Sequence, residues 1–104
     1  MPEQAQWHAI PHDHPALPGH FPGHPVVPGV VLLSEVWGAV CRDTARPLTC
    51  AGWPSVKFLA PLLPGERFQV EVDFSSAESA KFICKTAERT IAQGSVRFAP
   101  RDQA

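Results

Sequence analysis

Polar and apolar residues alternate along residues 66–74, ERFQVEVDF, where Phe68, Val70, Val72 and Phe74 share one face and Arg67, Gln69, Glu71 and Asp73 the other. Side chains point to opposite faces of a strand in turn, so this segment reads as a half-buried β-strand. Residues 5–10, 53–60, 80–88 and 90–99 read as further strands, with turns at 61–65 and 75–79. Gly94, inside the last of them, marks a bend or bulge. One segment has helical character, from Gly29 to about Arg46, opened by Pro28-Gly29 and stopped by Pro47. It is apolar nearly all round except at Ser34 and Glu35, which predicts a helix wrapped by other structure. Strand, helix and then a run of strands predicts an α+β fold, a curved antiparallel sheet of about five strands around one long central helix. So small a sheet leaves open edges, and the expectation is a dimer.

Composition narrows the picture. The chain has 104 residues, 44% of them hydrophobic and 18% charged, which suits a single globular domain spanning residues 1–104. A net charge of −1 argues against nucleic acid or an anionic membrane surface as the partner. The longest unbroken apolar run, Val30 to Leu33, is far short of a membrane span, and no basic start precedes an apolar segment as in a secretory signal. Cys41, Cys50 and Cys84 form no CxxC pair, which fits a reducing cytoplasm. Cys41 and Cys84 fall in apolar segments and are expected to be packed thiols.

Residues 11–28 stand apart. They hold six prolines (Pro11, Pro15, Pro18, Pro22, Pro25 and Pro28) and four of the five histidines. Each proline removes a donor and keeps its predecessor extended, so no helix forms here. Leu17, Phe21, Val26 and Val27 argue for an ordered loop, and long ordered loops in small domains are usually functional. His12, His14, His20 and His24 follow no metal-finger spacing and have no cysteine beside them, so no metal is expected.

The run Gly19-His20-Phe21-Pro22-Gly23-His24-Pro25-Val26-Val27-Pro28-Gly29-Val30 resembles the GHFPxxPxxPGV signature of the hotdog-fold 3-hydroxyacyl-[acyl carrier protein] dehydratases, in particular their short members of aryl-polyene and pigment lipid pathways. The segment FLAPLLPGERFQVEV and the VRF ending look like the sheet of that family. The resemblance implies dehydration of a 3-hydroxyacyl thioester, carried on acyl carrier protein or coenzyme A, to the trans-2-enoyl thioester. It implies no cofactor beyond the substrate's phosphopantetheine, and a homodimer or a heterodimer with a related hotdog subunit. It makes His20 the base that takes a proton from the carbon beside the thioester carbonyl, work suited to a near-neutral pKa. It makes the Gly29 N–H the donor to that carbonyl. Phe21, Pro28 and Val30, with Trp37 three residues beyond Ser34 on nearly the same helix face, are the expected substrate contacts.

The family's carboxylate stands five residues after the PG glycine, and here that residue is Ser34, followed by Glu35. Adjacent helix residues point about 100° apart, so Glu35 does not simply replace it. One reading has Ser34 binding the 3-hydroxyl or a water. Other readings are a partner subunit supplying the carboxylate, binding without turnover, or a local shift that brings Glu35 into the site. Glu35 is otherwise a surface residue near Arg42. A hotdog thioesterase is the remaining alternative. An acidic carrier protein would need a basic patch, for which Arg42, Arg46 and Lys57 are the candidates.

Overall fold

Burial follows the alternation of the sequence. In β3 (Phe68–Ser76), Phe68 and Val70 are buried and Val72 packs onto the core, while Glu71 and Asp73 face solvent. β4 (Ser79–Lys85) repeats the pattern, burying Ala80, Phe82 and Cys84. The computed structural model describes residues 7–15, 26–44 and 47–101. With β1 (Trp7–His8), β2 (Leu48–Phe58) and β5 (Thr90–Pro100), these strands form one five-stranded antiparallel sheet in the order β1-β3-β4-β5-β2.

The helix α1 (Gly29–Arg42) joins the two edge strands and lies against β3, β4 and β2. Val31, Leu32, Val36, Ala39 and Val40 form its buried face. That face meets two apolar clusters, one around Phe68, Phe82, Leu62 and Ile91 and one around Val96 and Phe98. Phe82 is 1% exposed, and its ring meets Trp53 edge-on at 5.7 Å. Phe82→Ala therefore opens a cavity in the middle of the sheet. We expect it to cost about 3–5 kcal/mol in denaturant melts, with an unchanged m-value.

Several boundaries differ from the sequence reading. The helix ends at Arg42, short of Arg46, because the Asp43 N–H closes the last turn onto the Ala39 and Val40 carbonyls. Asp and Thr next in line compete for backbone bonds and favour such an end. β2 starts at Leu48 rather than 53, and it carries Pro54 because it is an edge strand broken in register between Gly52 and Ser55. Of residues 5–10, only Trp7 and His8 pair in the sheet, with Gln69 and Phe68, and residues 5 and 6 lie outside the described part. Nor is the helix wrapped all round: Val30, Ser34 and Cys41 form an exposed stripe along it, Val30 being 73% exposed. Cys41 is thus not a packed thiol, whereas Cys84 is.

Candidate active site

Pro28, at φ −63° and ψ 148°, is extended and stands just outside the helix, and its carbonyl accepts from the N–H groups of Val31 and Leu32. Among the described residues no side chain caps this end, and its first turn carries no acidic residue. Among the described residues the N–H of Gly29 has no partner. The first N–H groups of a helix lie at the positive end of its dipole, where developing negative charge is stabilised.

Phe58, the last residue of β2, covers Gly29. A β-carbon on Gly29 would stand 2.6 Å from the Phe58 Cζ, so glycine is what lets ring and helix start approach. Phe58 is still half exposed, as are Leu59 and Leu63 in the segment that follows it. Phe58 thus lies against the start of α1, where Val30 is 73% exposed.

Ser34 and Glu35 part company at the helix surface. Ser34 lies on the open stripe one turn beyond Val30, and its hydroxyl bonds to nothing among the described residues, the Val30 carbonyl included. Glu35 turns towards the sheet, its Oε1 3.8 Å from Nδ1 of His8, whose ring packs 5.7 Å from that of Phe68. Among the described residues its ion-pair partner is His8 and not Arg42. Burial, and then the charge of Glu35, push the Cys84 thiol up to about 12, so Cys84 is a packed thiol and no nucleophile.

Trp37 is half-buried, 6.3 Å from the Phe98 ring, and packs onto the second cluster. Arg42 and Lys57 are exposed, while Arg46 lies outside the described residues. His20 and Phe21 also lie outside them. Clefts of about 410 Å³, lined by Ser79, Lys81, Ser95 and Arg97 among others, and about 230 Å³, lined by Leu48, Phe74 and Phe98 among others, do not include Gly29 or Ser34. No helix among the described residues is long and apolar enough to cross a membrane.

Sequence reasoning passed over the role of Phe58 at the helix start. It also missed an ion pair, Glu66–Arg89, whose members stand 23 residues apart. The turn at residues 61–65 was visible in the sequence; the partner of Glu66 was not.

The family model described as ApeI dehydratase, of the ApeI-like family, matches residues 3–95. The chain is 34% identical over 106 residues to the 3-hydroxyacyl-[acyl-carrier-protein] dehydratase FabZ of Geobacter metallireducens, covering 88% of this chain and 71% of that one. It is 39% identical over 70 residues to that of Myxococcus xanthus, covering 59% and 46%. Among solved structures it resembles the dehydratase heterocomplex ApeI:P from Xenorhabdus doucetiae, with a TM-score of 0.80 at 23% identity over 91% of this chain and 84% of that one. An uncharacterized protein from Erwinia carotovora matches with a TM-score of 0.78 at 26% identity over 90% and 80%. Sheet order, central helix and a family match running over most of the sequence agree, and the chain belongs to the ApeI-like dehydratases of the hotdog fold.

Proposed function

We propose that this chain dehydrates a 3-hydroxyacyl thioester to the trans-2-enoyl thioester. The observation that carries the reading is the N–H of Gly29 at the start of α1, without partner or side-chain cap among the described residues, against Phe58 and nine residues after His20. The thioester carbonyl accepts from that N–H, which stabilises the charge that builds on its oxygen. His20 takes a proton from the carbon beside the carbonyl. The electron pair of that C–H bond forms the new double bond, the C–O bond at the 3-position breaks, and the hydroxyl leaves as water with the proton that His20 has taken. Val30 and Phe58 offer apolar contact for the acyl chain beside the reacting carbons. The chain itself contributes no cofactor, since the substrate brings its own phosphopantetheine, on acyl carrier protein or coenzyme A.

A second reading has its own observation. Ser34 faces outward on an open stripe, and Glu35 is turned to His8, so this chain offers no carboxylate beside Gly29 among the described residues. A related hotdog subunit packed on that stripe supplies the missing acid. The heterocomplex named for the Xenorhabdus protein supports this arrangement.

The test is to incubate the purified chain with a 3-hydroxyacyl carrier-protein thioester and follow loss of water by mass spectrometry. Enoyl product from the chain alone supports the first reading. Product only after adding a hotdog subunit with an acid five residues beyond its PG glycine supports the second. Release of free 3-hydroxy acid overturns both in favour of a thioesterase, and no product in either arm overturns both outright.

A further inference from the structure

Residues 59–66 follow β2 towards β3 and run beside the residues that lead into α1. Their first neighbour is Phe58, whose ring lies on Gly29. Further on, the carbonyl of Leu62, a residue only 1% exposed, accepts from the Val27 N–H at 2.8 Å, two residues before Gly29. The Gly65 N–H donates to the Ile10 carbonyl at 2.8 Å, so the same segment also holds the chain that follows β1.

One ion pair ties this strap to the turn between β4 and β5. Arg89 Nη1 and Nη2 donate to Glu66 Oε2 and Oε1, each at 2.8 Å, and Nη2 also donates to the Pro61 carbonyl at 2.8 Å. Glu66 Oε1 accepts the Leu63 N–H at 3.1 Å as well. Arg89 is presented by a stiff turn, because the Thr86 hydroxyl accepts the N–H groups of Glu88 and Arg89 and the Thr86 N–H donates to the Arg89 carbonyl. The guanidinium first, and the Leu63 N–H next, hold the Glu66 carboxyl below its ordinary range. The pair is 33% and 28% exposed. A partly exposed pair of this kind contributes little to global stability. Its fork geometry, by contrast, fixes position closely.

We propose that Arg89 and Glu66 are positioning residues for the reaction: by clamping the 59–66 strap they set where Val27, Phe58 and the Gly29 N–H stand relative to the bound thioester. The proposal rests on the dehydratase reading above. Neither side chain touches substrate; both act through the strap, and a displacement of the donor by a fraction of a bond length weakens catalysis without loosening substrate binding to the same degree.

Arg89→Lys, which keeps the charge and loses the fork, and Glu66→Gln, a milder change, test it. Amide hydrogen exchange on the ¹⁵N-labelled full chain is read together with steady-state dehydration of the carrier-protein thioester. In Arg89→Lys we expect the Val27 and Gly65 amides to exchange at least about tenfold faster while those of β4 keep their rates. We expect kcat to fall about tenfold or more with KM within about threefold, and Glu66→Gln to lie between this variant and the unsubstituted chain. Unchanged Val27 and Gly65 exchange in either folded variant overturns the proposal. So does a uniform rise in exchange across β3–β5 with a matching loss of melting temperature, which marks a merely structural pair. If the unsubstituted chain makes no enoyl product, the dehydratase reading fails instead, and the exchange rates alone decide whether the pair holds the helix start.

Discussion

Ser34→Asp is expected to raise the dehydration rate of the chain acting alone by about 10²- to 10⁴-fold, the usual contribution of a positioned acid. Ser34 stands on the open stripe of α1, one turn past Val30, and so on an exposed side of the helix. Its hydroxyl has no bond among the described residues to hold it elsewhere, so an aspartate there inherits a free outward path. Glu35, turned to His8, takes no part in this gain, and Glu35→Gln in the Ser34→Asp background should leave it in place. His20→Ala in the same background should remove it, because an acid for the leaving hydroxyl is useless without a base for the C–H proton. The measurement is single-turnover formation of enoyl thioester by each variant. A folded Ser34→Asp no faster than the unsubstituted chain would show that this position does not serve the reaction.

The second large effect concerns stability. At Gly94 a β-carbon would stand 2.0 Å from the Ser55 carbonyl oxygen, 2.8 Å from its carbonyl carbon and 2.9 Å from the Val56 Cα. All three are backbone atoms of the neighbouring β2, so no rotamer change relieves the contact. Gly94→Ala must push β2 away from β5, in the stretch where Ser55, Val56, Lys57 and Phe58 pair with Ser95, Gly94, Gln93 and Ala92. We expect a loss of about 3 kcal/mol, at the upper end for overpacking, and hence a melting temperature lower by roughly 12–24 °C. Because Phe58 ends that strand and lies on Gly29, the surviving folded fraction should also bind acyl thioester more weakly. Thermal melts followed by circular dichroism check the first expectation, and a melting point within a few degrees of the unsubstituted chain contradicts it.

Much of the architecture was legible before any coordinates. The period-two pattern of Phe68, Val70 and Val72 marked a strand with a core face, and Pro28-Gly29 marked the start of the helix, because both signals depend on residues a few positions apart. The GHFPGHPVVPGV run pointed to the family, and the comparisons bear that out. Gly94 was legible as a special position but not as what it is, a point where two backbones nearly touch.

Other features belong to the tertiary structure. The sequence determined that α1 carries Ser34 and Glu35 about 100° apart; only the packing of the helix on the sheet decided that Ser34 looks outward and Glu35 towards His8. The sequence put a turn at residues 61–65, Glu66 directly after it and an arginine at 89; only the sheet order brought Glu66 and Arg89 together across a gap of 23 residues, with Pro61 in reach of the same guanidinium. Periodicity, turn chemistry and motif spacing are written within about ten residues of chain and survive as sequence. Which side of a helix meets a sheet, and which distant side chains meet each other, follows from burying one apolar surface against another, and that is settled only when the whole chain is folded.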